Sequence, residues 1–529
     1  MKRIMILGAG VMQLPAFEAA RRCGWESIGV DGNPNAPGVP LADTFLQIDL
    51  KDTAAIVAAA REERRGRGLD GVFTVGTDFS YPVAAAAAEL GLPGTPPEAA
   101  KRASDKVLMR RALAEAGVPI PRFLEVPPDR AARDASEEAV EWGVLPAVVK
   151  PVDNMGARGV RRVDAPGELV PVIAAAREYS RSGRVIVEEV IDGPEYSIDA
   201  LVVDGTVHIT GVADRHIYFP PYFIELGHTL PAELTEAEHQ RLEEGFRRAV
   251  EAIGIGTGAA KGDVFLTPRG AVVGEIAARL SGGYMSGWTF PNASGIPLVE
   301  KGMRLALGEE VGSLEPPVHR TSAERAAVSI PGAVRRLHGV EEARAAEGVT
   351  ELFLRCAPGD RVDMPRNNTE KVANVISVGE TRAAAVNAAE GAIARVVVEL
   401  EPGDEATARY LFGEGNDVFP PFFDSAGGPA GAVRRGASKG APDGAGAARR
   451  RRDWNYRTLE ETLALLAAMR GIGSAEQGEG SSAEGTRRRR AFDRALAVGG
   501  IQGALYAVDT ARERPDIMEE YLDRWFDAS

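Results

Sequence analysis

The first hundred residues alternate short apolar runs with helical patterns, and this leaves few architectures open. Arg3–Leu7, Trp25–Asp31 and Gly71–Val75 read as strands, with Leu14–Arg22, Ala54–Arg64 and Val83–Leu90 as the helices between them. Strands separated by helices pair in parallel, which predicts an α/β layer with helices on both faces. The turn after the first strand is Gly8-Ala-Gly10-Val-Met-Gln13, and Asp31 ends the second strand. That is close to the dinucleotide fingerprint, but Gln13 stands where the third glycine belongs. A tight turn beside a small-substrate pocket and an NAD site both stay open. The apolar start carries Gly8, Gly10, Gln13 and Glu18, which fits a strand turning into a helix better than a signal peptide.

The whole chain of 529 residues is too long for one ordinary domain. Its net charge of −14 repels phosphodiester backbones and argues against a nucleic-acid partner. The two cysteines, Cys23 and Cys356, form no metal motif or disulfide framework and suit a reducing cytoplasm. No uncharged apolar stretch reaches the roughly 18 residues of a membrane span.

From Ser104 the pattern changes to a helix, Lys106–Ala116, stopped by Gly117 and Pro119, and then to hairpins. These are Ala147–Lys150, Gly159–Val163, Val185–Val190, Tyr196–Val203 and Thr206–Val212. The helix Glu236–Ile253 separates them from a last hairpin, Asp263–Thr267 with Ala271–Ile276. The expected domains are 1–103, 104–318 and a small α+β unit at 319–402. A low-complexity flexible linker, 403–455, and an accessory helical tail, 456–529, with helices Leu459–Met469 and Ala491–Trp525, complete the chain. The arginine clusters Arg449–Arg452 and Arg487–Arg490 read as solvated linker charge. On this reading a chain ending near Gly403 still folds.

Three further segments carry chemistry. Lys150 ends a strand and is followed by a loop containing Gly156 and Gly159, which can lay amides on phosphate oxygens. An ordinary hairpin turn fits as well. Val185–Glu189 runs into Ile191, Gly193 and Glu195. Glu188, the Ile191 amide and Glu195 could meet an adenine edge and a ribose, although a solvated hairpin suffices. The last hairpin is the most informative. A three-residue loop, Pro268-Arg269-Gly270, sets Asp263 directly opposite Glu275, with β-carbons roughly 5 Å apart on one face. Two like charges there call for a cation, and oxygen ligands favour Mg²⁺ (or Mn²⁺) over zinc. Arg279 and Gly282 follow closely, placed to grip a phosphoryl or carboxylate group.

In this order and spacing the segments resemble the ATP-grasp superfamily over roughly residues 1–400. The resemblance implies a Rossmann-like pre-ATP-grasp domain, a two-subdomain ATP-grasp fold and a small C-terminal lid domain. It assigns Lys106, Lys150, Gly156, Gly159, Glu188, Glu189, Ile191 and Glu195 to ATP, and Asp263 and Glu275 to the metal. Arg279 and Lys150 become the catalytic cations. The stretch Phe223-Ile-Glu225-Leu-Gly-His228 resembles L-amino-acid ligase-like enzymes, which would place Glu225, His228, Arg279 and Gly282 around a substrate. Position 277 is alanine where many members carry a metal-binding asparagine. The implied activity is a carboxylate–amine ligase that uses ATP and an acyl phosphate, in a chain compatible with a homodimer. A bicarbonate-using carboxylase of the aminoimidazole ribonucleotide or biotin carboxylase type would share the ATP residues. An NAD-dependent oxidoreductase or a nucleotide-binding regulatory protein would not need the acid pair.

Overall fold

Alternate residues of the first strand enter different cores. Ile4 and Ile6 pack with Phe17, whereas Met5 and Leu7 pack with Ile28, Ile56 and Ala86. A strand buried on both faces is what a helix-covered parallel sheet requires. The computed structural model describes residues 1–413, 419–423, 452–471 and 483–526. They separate into two units, one of Met1–Arg215 with His228–Ser322, the other of His216–Gly227 with the residues from Ala323 onward.

In the first unit, β1 (Arg3–Leu7), β2 (Glu26–Asp31), β3 (Thr44–Gln47) and β4 (Gly71–Phe73) form a parallel sheet in the order β3-β2-β1-β4. The edge strand β3 is half-exposed, so it lacks the apolar run that marks its neighbours. Gly8 turns the chain at φ +93°, and a β-carbon there would stand 2.9 Å from the Gln13 side chain. Gln13 is buried and donates to the Val75 carbonyl. Asp31 accepts from the Ala9 and Asn33 amides, each at 2.8 Å. The polar groups of the fingerprint thus close the turn internally, which gives no support to the dinucleotide reading.

A second sheet is antiparallel: β5 (Phe123–Val126), β6 (Ala147–Pro151), β7 (Arg161–Val163) and β8 (Val185–Glu189), in the order β5-β8-β6-β7. Helices Ala132–Glu141 and Leu169–Glu178 share its core through Ala135, Val149, Ile173 and Val187. Beyond it come β9 (Glu195–Val203), β10 (Thr206–Tyr218), β11 (Ile224–Leu230), β12 (Gly258–Thr267) and β13 (Gly270–Ala277). Within the first unit these pair as β13-β12-β9-β10, packed by Phe246 and Ile253 of helix Glu236–Ile253. Thr235 and Glu238 cap that helix reciprocally at its start, and Gly254 ends it in the left-handed region.

The second unit contains β14 (Thr321–Ala327) from Ala323 onward, β15 (Gly332–His338), β16 (Val349–Leu354), β17 (Arg361–Val362), β18 (Ala373–Gly379) and β19 (Val397–Leu400), arranged as β14-β18-β16 and β17-β15-β19. Its core is completed by the C-terminal helices. Tyr506, Tyr521, Leu522 and Phe526 lie in one cluster with Ala326, Val375, Leu400 and Leu411. The Tyr506 hydroxyl donates to the Asp404 carbonyl at 2.7 Å, and the Asn455 side chain bonds both polar backbone groups of Val328 at 2.9 Å. Helices Leu459–Arg470, Ala483–Glu513 and Pro515–Phe526 are therefore part of this domain's interior, not an accessory tail. Arg487 and Arg488 pair with Asp523 and Glu484 at 3.1 and 3.0 Å, and Arg489 with Asp493 at 2.9 Å, on a helix and not on a linker. Most of the low-complexity segment, including Arg449–Arg451, lies outside the described residues. Among the described residues no helix is long and apolar enough to cross a membrane.

These contacts reverse the expectation for a chain ending near Gly403. The truncation strips the aromatic half of the second core and should give insoluble or molten protein. Tyr506→Ala should cost about 3–5 kcal/mol, as for other large aromatic deletions. A soluble truncation with an unchanged melting curve would contradict this packing.

Candidate active site

The turn between β12 and β13 is the two residues Pro268-Arg269, with Thr267 paired to Gly270. This corrects the three-residue loop expected from sequence, which would have paired Thr267 with residue 271. A bulge between Asp263 and Val264 then restores the pairing of Asp263 with Glu275. Gly274 allows it, since a β-carbon there would stand 2.7 Å from the Phe265 ring.

Two carboxylates about 5 Å apart repel by roughly 3 kcal/mol at an effective dielectric of about 20. The protein's own cations offset much of this. Lys261, two residues before Asp263 and on the same strand face, ion-pairs with it and lies 3.9 Å from Glu275. Arg215 bridges Asp263 and Glu195 at 2.9 and 2.7 Å. Lys106 stands 3.3 Å from Glu275. Burial by itself would raise the Glu275 pKa, but Lys106, Lys261, Arg279 and Lys150 together hold it well below the usual carboxylate range. The facing acids alone therefore do not require a metal. One observation does fit one. Asp263 is 6% exposed, and its Oδ1 atom has no hydrogen-bond partner. A single hard cation, shared between that oxygen and Glu275, suits this donor set. Among the described residues no group of three or more His, Cys, Asp or Glu residues stands ready to hold a metal.

Lys150 closes β6, and its ammonium lies 2.8 Å from Glu188 on β8. The other Glu188 oxygen meets the Arg110 guanidinium at 2.7 Å. Glu188 and Arg110 are each 1% exposed. Desolvation opposes the charge on Glu188, yet Arg110 and Lys150 outweigh it and hold the acid at about 2. The sequence reading sets this carboxylate at the adenine edge. In the structure both of its oxygens hold cations, so its evident work is to fix Lys150. Just beyond, Glu189 accepts from Arg122 and Arg269, and the Val190 amide donates to the Pro146 carbonyl. The Ile191 amide donates to no acceptor among the described residues.

Lys106 begins the helix Lys106–Glu115, whose N-cap Asp105 accepts from the Val107 and Leu108 amides. Its ammonium donates at 2.8 Å to the carbonyl of Asn154, at the start of the glycine loop. Gly156 and Gly159 both have left-handed φ, and a β-carbon on Gly159 would also meet Tyr179 at 2.8 Å.

Arg279 is 9% exposed and donates to the Thr77 carbonyl at 3.1 Å, which ties it to the loop after β4. Gly76 and Gly282 allow these two loops to touch, since a β-carbon on Gly76 would stand 3.1 Å from the Gly282 Cα. Asp199, fully buried on β9, accepts from the Ser281 amide at 2.9 Å and the Ser286 hydroxyl at 2.8 Å, and so anchors the segment after Arg279. Asp78 belongs to none of the sequence motifs. It pairs with Arg181 at 3.0 Å, and burial raises its pKa against the pull of Lys106, Arg279 and Arg181. His228 is 1% exposed, with its Nε2 2.8 Å from the Thr289 hydroxyl. Glu225 belongs to the second unit, where its amide donates to Asn368 and its carbonyl accepts from Lys371. Of the expected residues, the structure thus brings Lys106, Lys150, Glu188, Glu195, Asp263, Glu275 and Arg279 into one charged region of the first unit. It adds Asp78, Arg110, Asp199, Arg215 and Lys261.

Residues 17–94 match the ATP-grasp N-terminal domain, 144–287 the ATP-grasp domain, and 327–401 the L-amino acid ligase C-terminal domain 2. An uncharacterized protein, y4rH, from Sinorhizobium fredii is 27% identical over 396 residues, which cover 73% of this chain and 80% of that one. Human carnosine synthase 1 is 28% identical over 331 residues, 58% of this chain but only 40% of the synthase. An L-amino acid ligase from Bacillus licheniformis shares the fold with a TM-score of 0.64, at 23% identity over 76% of this chain and 99% of the ligase chain. Over these segments the chain carries an ATP-grasp N-terminal domain, an ATP-grasp domain and a domain of the L-amino acid ligase C-terminal type, in that order.

Proposed function

We propose that the carboxylate is that of an amino acid, activated by ATP as an acyl phosphate and transferred to an amine, with release of ADP and phosphate. The observation that carries this reading is the convergence of four cations, Lys106, Lys150, Lys261 and Arg279, on Glu275 beside the half-satisfied Asp263. Such a set matches the demands of phosphoryl transfer, where catalysis is mostly positioning and charge neutralisation. The match of residues 327–401 to the L-amino acid ligase C-terminal domain 2 supports an amino acid over bicarbonate.

In this reading the free Ile191 amide meets the adenine ring and Glu195 the ribose. Lys150, fixed by Glu188, and Lys106, fixed by the Asn154 carbonyl, draw charge from the phosphate oxygens. A divalent cation, Mg²⁺ or Mn²⁺, held by Asp263 and Glu275 would neutralise further phosphate charge when bound. A substrate carboxylate oxygen attacks the γ-phosphorus and ADP leaves. The amine then attacks the acyl carbon, and phosphate departs with that same oxygen. Arg279, held by Thr77, faces the charge that develops in both steps. The glycine loop covers the site and keeps water from the acyl phosphate. His228, locked to Thr289, keeps the segment after Arg279 in place.

ADP release should therefore depend on added amino acids and not on bicarbonate with an aminoimidazole nucleotide. Glu275→Gln should lower turnover by about 100-fold or more while the protein stays folded, and Arg279→Ala should depress kcat by about 10²–10³. Turnover with bicarbonate alone, or an active Glu275→Gln, would refute the assignment. Glu188→Gln tests the buried support. Because the folded acid lies near 2 and an unfolded one near 4.5, Glu188 stabilises fully above pH 4.5 and loses this as pH falls through about 2. The variant should lose on the order of 3 kcal/mol at neutral pH and shed that part of the acid dependence. Melting curves from pH 7 to 2 on both proteins measure it, and superimposable curves would contradict the buried bridge.

A further inference from the structure

Lysine is seldom buried without a reason, and Lys261 is 8% exposed in the middle of the acid pair. Its ammonium pairs with Asp263 Oδ2 and lies 3.9 Å from Glu275 Oε2. Arg215 also takes Asp263 Oδ2, at 2.9 Å, and Lys106 stands 3.3 Å from Glu275 Oε1. Of the four carboxylate oxygens in the pair, only Asp263 Oδ1 is buried without a hydrogen-bond partner. Opposite Lys261 in the β12–β13 register stands Ala277, which has no side-chain donor. Lys261, Arg215 and Lys106 already balance Asp263, Glu275 and Glu195 before any ion enters.

Paired carboxylates facing phosphates can hold two divalent ions about 3.5–4 Å apart, one at each end of the transferred group. Here the space between the carboxylates is served by an ammonium. We propose that Lys261 is a built-in cation that takes the place of a second divalent ion, so that this chain holds one divalent ion, not two, with its nucleotide. The proposal rests on the assignment of Asp263 and Glu275 as the metal acids. A compact ammonium on a flexible stem can neutralise both carboxylates, but it is permanent and does not depend on cation concentration.

The test counts Mn²⁺ bound to the full chain by electron paramagnetic resonance, at saturating ADP, with ADP binding followed in parallel samples by equilibrium dialysis of radiolabelled ADP. The expected result is one Mn²⁺ per wild-type chain. Lys261→Met removes the charge at similar volume and should admit a second Mn²⁺ or tighten Mn²⁺ binding at least tenfold. Lys261→Arg, which keeps the charge, should again bind one. Two Mn²⁺ on the wild type with ADP bound would overturn the proposal and leave the ligase reading intact. An unchanged count and affinity in a folded Lys261→Met would do the same. Failure of the wild type to bind ADP would remove both. If Lys261→Met does not fold, the wild-type count and Lys261→Arg decide alone.

Discussion

Two facing carboxylates, Asp263 and Glu275, cannot share one face of a buried hairpin unless positive charge is brought to them. Most of the site's arrangement follows from that need. Lys261 arrives from two residues upstream on the same strand, Arg215 from β10, and Lys106 from the start of a helix. Two of them are held by a further interaction: Arg215 by Glu195 and Lys106 by the Asn154 carbonyl. The network is close to neutral, which makes its burial tolerable. A bound polyphosphate would then meet cations that are already ordered, at little reorganisation cost.

A second buried charge, Glu188, does for Lys150 what the hairpin does for Lys106. An acid with almost no exposure is expensive to desolvate, and it stays ionised only because Arg110 and Lys150 each take one oxygen. The result is a lysine fixed at the end of β6, at the mouth of the glycine loop. Asp199 plays the matching part for Arg279, since it grips Ser281 and Ser286 and so holds the loop that follows the arginine.

Much of this was legible in the sequence, though not always for the right reason. Strand counting sets Asp263 opposite Glu275, but through a three-residue loop. The structure reaches that pairing with a two-residue turn and a bulge, a compensation invisible to strand counting. Lys261 was readable, because it lies on the same face as Asp263 at strand period. Arg110 was readable too, since it falls between Val107 and Leu113 on a buried helix face where an apolar residue was due. Asp78 and Arg215 give no such signal, for their partners are distant in sequence. The edge strands β3 and β5 are only half buried and carry weak patterning. The C-terminal helices were found as helices, but amphipathic spacing does not name the core a helix completes, and theirs is the core of the second unit.

In the proposed reaction the substrate's own carboxylate oxygen attacks ATP. Oxygen transfer from that carboxylate to phosphate reports the attack. An amino-acid substrate labelled with ¹⁸O in its carboxylate is turned over with ATP and an amine, and the released phosphate is analysed by mass spectrometry or ³¹P NMR. One ¹⁸O is expected in each phosphate formed per product, with ADP as the nucleotide product. Phosphate free of label, or release of AMP and pyrophosphate, would contradict that reaction.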